Sequence, residues 1–82
     1  MYHLYILKCA DGTLYTGITT DPKRRIKEHN SSNLGAKYTR GRRPVGLVYS
    51  RKYRNRSNAS KDESRIKNLS REEKLALIKK KS

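Results

Sequence analysis

The sequence predicts an α+β domain: a small three-stranded antiparallel sheet flanked by helices, in the order β-β-α-β-α-α. Three observations predict it. Tyr2–Lys8 and Thr13–Thr19 are runs rich in aromatic and β-branched residues, separated by Ala10-Asp11-Gly12, which is a hairpin pattern. A third such run, Val45–Ser50, follows Pro44, and the remaining segments carry helix caps and helical spacing. The chain has 82 residues of which 33% are hydrophobic, so residues 1–82 suffice for one domain with a small core.

Each element can be justified in turn. In the hairpin, a two-residue loop at Asp11-Gly12 would place Tyr5 and Tyr15 on opposite faces, since a one-residue slip exchanges the faces. A three-residue loop with Gly12 in the left-handed position instead pairs Cys9 with Thr13, Leu7 with Tyr15 and Tyr5 with Gly17. It gathers Leu4, Ile6, Leu14 and Ile18 on a core face and Tyr5, Tyr15 and Gly17 on the other, where two hydroxyls beside a glycine gap suggest a polar pocket wall. Asp21 is the expected N-cap of the first helix, with Pro22 at its first position. The inward stripe of that helix is Pro22, Arg25, Ile26 and His29. An arginine and a histidine on the best inward stripe mark either loose packing or a polar site. Glu28 lies off the stripe and is expected in solvent. Gly35–Arg43 reads as a basic loop and Arg51–Arg56 as a charged connector. Ser57 is the expected cap of a helix to about Asn68, with Ala59, Ile66 and Leu69 inward. Ser70 and Glu73 form a capping box for a last helix carrying Leu75, Leu77 and Ile78.

Composition limits the function. Lys and Arg number 21 against 7 Asp and Glu, a formal charge of +14, which points to a polyanionic partner. One Cys excludes an intramolecular disulfide, and one Cys with two His is poor stock for structural zinc. No apolar run approaches the ~18 residues of a membrane span. Met1-Tyr2-His3 leads directly into strand-like sequence without a signal-peptide pattern, so a reducing, cytoplasmic setting is expected.

Among the acids, Asp11, Asp21, Glu72 and Glu73 have sufficient roles in a turn and at helix starts. Asp62 and Glu63 flank the inward stripe of their helix on opposite sides, so either can point inward. Taken singly, Tyr5 and Tyr15 read as half-buried strand aromatics, Arg25 and His29 as a basic helix face, and Gly17 as a bulge. The cations of the Lys37–Arg43 segment repel one another, so their clustering favours contact with phosphates. Lys37, Tyr38, Arg40, Arg42 and Arg43 are the residues expected to make it.

The joint arrangement is more specific than its members. His3-Leu4-Tyr5 and Tyr15-Thr16-Gly17, Arg25 and His29 on the following helix, and Glu63 in Glu63-Ser64-Arg65-Ile66-Lys67 together resemble the GIY-YIG nuclease family. The runs Leu14–Thr19 and Lys37-Tyr38-Thr39-Arg40 resemble its short single-domain bacterial branch, and the likeness spans about residues 2 to 79. His3-Leu4 replaces the name-giving Gly-Ile, and Thr16 replaces the Ile of the second element. Ile18 stands where excision-repair members carry a lysine.

That resemblance implies a divalent-metal-dependent endonuclease acting on DNA. Glu63 is then the residue that holds Mg²⁺, or Mn²⁺, and Tyr15 the general base toward a water. Tyr5 orients the water or phosphate, and Arg25 pairs with the scissile phosphate. His29 relays a proton or fixes Tyr15, and Gly17 lets backbone and phosphate approach the tyrosines. A role in DNA repair or processing by structure-selective nicking follows as an expectation. The alternative is a non-catalytic basic module that binds DNA or structured RNA on the same scaffold. A membrane-surface peptide is disfavoured, because the last helix has little apolar surface and the strands would go unexplained.

Overall fold

The computed structural model describes residues 1–31 and 41–81. Its elements are β1 (Tyr2–Lys8), β2 (Leu14–Thr19), α1 (Pro22–Ser31), β3 (Gly46–Tyr53), α2 (Arg56–Lys67) and α3 (Arg71–Lys81). The sheet order is β2-β1-β3 with both pairings antiparallel, so β1 is central and the expected α+β order holds.

The hairpin takes the three-residue register. Tyr5 stands opposite Gly17 and Leu7 opposite Tyr15. Cys9 N–H donates to Thr13 O at 2.8 Å, Gly12 N–H to Cys9 O at 2.9 Å, and Gly12 has φ +86°. A positive φ at that position is what glycine supplies without a Cβ penalty. Asp11 completes the turn through Oδ1, which accepts from the Thr13 hydroxyl at 2.6 Å and from Thr13 N–H at 3.1 Å.

Alternation along the strands then sorts the two faces. Leu4, Ile6, Tyr49 and Ile66 form one buried cluster, with Leu14, Ile18, Leu69, Leu77 and Ile78 against it, and α2 and α3 cover this face. Tyr5, Leu7, Cys9 and Val45 form the second cluster on the opposite face, with Tyr15 and Ile26 of α1 packed on it. Thr16 lies opposite Ile6 and only 4% exposed, and its hydroxyl has no hydrogen-bond partner among the described residues.

The end of β3 and the start of α2 differ from expectation. β3 runs to Tyr53 rather than Ser50, because pairing with Tyr2–Leu4 recruits Arg51, Lys52 and Tyr53 into the ladder. α2 begins one turn's fraction earlier, at Arg56. Its cap is Asn55 and not Ser57: Asn55 Oδ1 accepts from Asn58 N–H at 2.9 Å. Asn55 has extended φ/ψ, as a cap requires, and Ser57 is already helical. The Ser70/Glu73 capping box forms as expected, with reciprocal bonds of 3.0 and 3.2 Å. Lys37, Tyr38 and Arg40 lie outside the described residues.

Candidate active site

Because Tyr5 is on the central strand and Gly17 is its cross-strand partner, the Tyr5 side chain leans over β2. It occupies the space a Cβ on residue 17 would need: that atom would lie 2.5 Å from Tyr5 Oη and 2.7 Å from Cζ. The glycine gap is therefore filled by the Tyr5 ring. Gly17 is in register within the ladder, not a bulge.

α1 brings two further groups to the ring. Asp21 caps it as expected, its Oδ1 accepting from Arg24 N–H at 3.2 Å. One helical turn separates Arg25 from His29, so both reach the tyrosine face. Tyr5, Tyr15 and His29 form a three-ring cluster with centroid separations of 6.4, 6.0 and 5.2 Å, tilted or edge-on. Such geometries match ring quadrupoles edge to face. His29 is fully buried, and its Nε2 lies 3.1 Å from Tyr5 Oη.

The protonation states follow from the surroundings. Burial is the main cause that holds His29 below the usual imidazole range; the cations Arg25 and Arg43 add to it and Glu28 opposes. Burial likewise pushes the Tyr5 hydroxyl up, against the hydrogen bond from Arg25. Near neutral pH the imidazole is thus uncharged and the phenol protonated. Arg25 has only donors, so it donates to the Tyr5 oxygen, the same oxygen that pairs with His29 Nε2.

Glu28 completes this line and was not anticipated. Its side chain is only 16% exposed, with Oε1 2.9 Å from Arg25 Nη1 and Oε2 3.2 Å from Arg24 Nε. Arg25 chiefly, then Arg24, holds the Glu28 carboxyl below the usual range. The i,i+3 and i,i+4 spacing to two arginines was visible in the sequence. It was outweighed by the position of Glu28 off the apolar stripe. Beside this pair is a cavity of about 230 Å³ lined by Thr19, Thr20, Asp21, Arg24, Arg25 and Glu28.

The two acids left open on α2 part company. Asp62 accepts from the Tyr53 hydroxyl and ion-pairs with Arg65 at 2.6 Å, so it ties α2 to β3. Burial, then Asp62, pushes the Tyr53 hydroxyl up to about 12. Glu63 is 22% exposed at its side chain, pairs with Lys67 at 3.5 Å, and its charge is felt at the Tyr5 hydroxyl. No group of three or more His, Cys, Asp and Glu able to hold a metal occurs among the described residues. A single accessible carboxylate fits a hard cation that keeps most of its waters, as Mg²⁺ does, and does not fit a closed transition-metal cage.

Two residues of the expected basic patch are described, and both brace the fold. Arg42 ion-pairs with Asp11 at 3.1 Å, and its carbonyl accepts from Ala10 N–H at 2.9 Å. Arg43 Nε donates to the His29 carbonyl near the end of α1, where unpaired carbonyls favour a cation. Asn30 reaches the same segment, donating to Val45 O at 3.0 Å and accepting from Val45 N–H at 2.6 Å. Residues 42–45 are thereby fastened to the back of the His29 site.

The family model described as the GIY-YIG catalytic domain matches residues 1–76. The UPF0213 protein DP2720 of Desulfotalea psychrophila is 62% identical over 78 residues, covering 95% of this chain and 71% of that protein. The UPF0213 protein VNG_2274C of Halobacterium salinarum is 53% identical over 78 residues, covering 95% of this chain and 100% of that protein. The solution structure of the UPF0213 protein BH0048 from Bacillus halodurans is similar with a TM-score of 0.62 and 48% identity, over 96% of this chain and 84% of that one. That of EF2693 from E. faecalis gives a TM-score of 0.65 and 43% identity, over 96% and 83%. No helix among the described residues is long and apolar enough to cross a membrane.

Proposed function

The chain belongs to the GIY-YIG family, which implies a nuclease-type function, and from that premise we propose a divalent-metal-dependent endonuclease that hydrolyses phosphodiester bonds in DNA. The observation that carries this reading is the Arg25 guanidinium, held between Glu28 and the Tyr5 hydroxyl at the edge of a cavity. A cation so fixed loses little freedom when it meets a phosphate, and its remaining donors match two phosphate oxygens.

In hydrolysis, a water oxygen forms a new bond to phosphorus as the P–O bond to the leaving strand breaks. Arg25 would stabilise the charge that gathers on the phosphate oxygens during that exchange. Tyr15, the partly exposed tyrosine of the ring cluster, would give its own proton to solvent and as the phenolate take the proton of the attacking water. Glu63 would hold Mg²⁺ or Mn²⁺, which when bound adds positive charge at the phosphate and lowers the cost of ionising a water.

Tyr5 and His29 take a supporting part in this scheme. Tyr5 is 1% exposed and His29 0%, and His29 Nε2 lies 3.1 Å from the Tyr5 hydroxyl, which also meets Arg25. Tyr5 would therefore orient Arg25 rather than touch water or phosphate. His29 would fix the two tyrosines rather than relay a proton.

The test is a panel of labelled DNA and RNA structures, single-stranded, flapped, branched and supercoiled, incubated with wild type and Glu63→Ala under Mg²⁺ or Mn²⁺ and under EDTA. Nicking by wild type with the metal, reduced ~10²-fold or more in Glu63→Ala, Arg25→Ala and Tyr15→Phe, is the expected result. Equal activity in wild type and Glu63→Ala would sink the proposal. Salt-dependent binding without cleavage of any substrate would favour the non-catalytic module instead.

A further inference from the structure

Among the described residues, the sheet face that carries the tyrosines is covered at one end only. α1 packs over Tyr5 and Leu7, while His3, Ser50 and Lys52 share that face further along, His3 directly opposite Lys52. With Leu47, Arg51 and Lys23 they line an open cavity of about 790 Å³, within the usual ligand-site range.

Its charge is one-sided. Lys23, Arg51 and Lys52 are exposed, and neither lysine has an ion-pair partner among the described residues. Asp21 is the acid at this rim, and its Oδ1 is engaged as the α1 cap. The Arg51 guanidinium turns away over the Tyr53 ring, 5.5 Å from its centroid, so Lys23 and Lys52 carry the charge of this cavity, and two ammonium groups there repel one another unless an anion enters. The floor adds Leu47, 44% exposed although on a strand, and the His3 imidazole. Apolar and ring surfaces of this kind receive the faces of unstacked bases.

The cavity also leads to the candidate active site. Thr20 and Asp21 line both this cavity and the smaller one beside Arg25, so the two meet at the turn between β2 and α1. A strand with one phosphate at Arg25 would cross Thr20 and enter the larger cavity.

We propose that this groove is the track for a single strand of nucleic acid flanking the phosphate held at Arg25, an inference that rests on the nuclease reading. Lys23 and Lys52 contact its phosphates, and Leu47 and His3 meet a base. A blunt duplex keeps its bases stacked and leaves Leu47 and His3 without a partner.

The test measures binding of a fluorescent single-stranded DNA oligonucleotide in EDTA, where binding is read without cleavage. Lys23→Gln/Lys52→Gln is compared with Lys8→Gln/Lys74→Gln, which removes equal charge at the hairpin end of the sheet. The groove variant should bind ~10-fold or more weaker and flatten the log affinity against log salt slope by about 1.4, while the control changes less than ~2-fold. Equal losses in the two variants would overturn the groove. A photo-crosslinker on Leu47→Cys should attach to the oligonucleotide, and one on Leu75→Cys of α3 should not; Cys9 is buried and stays unlabelled. Failure of Leu47→Cys to crosslink would also overturn it. Groove-dependent binding by a wild type that cleaves nothing under Mg²⁺ would keep the groove and remove the nuclease reading.

Discussion

Tyr5 lies in the space that a side chain on Gly17 would occupy, with a Cβ there only 2.5 Å from the Tyr5 oxygen. The glycine of the second signature element thus serves the tyrosine of the first. Gly17→Ala should destabilise the domain by ~1–3 kcal/mol, the usual cost of overpacking, as a shift of the urea midpoint at constant slope. On a Tyr5→Leu background the same change should cost less than ~0.5 kcal/mol. Additive losses would show that the contact is not the reason for the glycine.

Glu28 keeps Arg25 aimed by charge and geometry together. Glu28→Gln should lower the nicking rate ~10-fold at saturating DNA with little change in affinity, because Arg25 keeps its charge and loses its fixed position. Glu28→Asp should recover part of the rate. A fall in affinity with the rate unchanged would assign Glu28 to DNA binding instead.

Asp62 and Glu63 are neighbours with separable effects. Tyr53→Phe removes the hydrogen bond to Asp62 and should cost ~1 kcal/mol of stability, with nicking intact. Glu63→Gln should do the reverse: an unchanged unfolding midpoint and a loss of nicking. Wild-type nicking by Glu63→Gln alongside loss of activity in Asp62→Asn would exchange their roles.

His29 makes stability depend on pH with a defined sign. Its folded pKa is below the unfolded value near ~6.5, so the unfolded chain binds more protons between those two values. The contribution is fully present above about 6.5 and is lost as pH falls toward and through the folded pKa. Urea midpoints taken from pH 7.5 downward should drop in this window for wild type, and His29→Gln should lack that part of the slope. Parallel curves for both proteins would place the dependence elsewhere, the Asp62 carboxyl contributing only at lower pH.

The sequence was most informative where one turn or one cap decides the geometry. Asp11 and Gly12 specify the three-residue loop, and that loop alone sets Tyr5 against Gly17 and Tyr15 against Leu7. Ser70 and Glu73 satisfy each other's backbone N–H groups within four residues. Less was legible at Asn55, because Ser57 is as good a cap by residue type and only the backbone conformation shows which of the two is extended. Glu28 departs from its expected place in solvent because an apolar stripe reports what packs in the core. It is silent about a carboxylate held against the part-buried Arg25 by an ion pair.

By itself the sequence determined the hairpin register, the element order, and the residues gathered on the tyrosine face. These rest on backbone hydrogen bonds and strand alternation, which act over a few residues. Only the tertiary structure decided that Tyr5 and His29 are sealed inside, that Asp62 belongs to Tyr53, and that Arg42 and Arg43 brace the hairpin turn and α1. Each of those outcomes depends on which long side chain from a distant element arrives within ~3 Å of a polar group. That distance is fixed by how the helices pack on the sheet, and no local rule of propensity or spacing carries it.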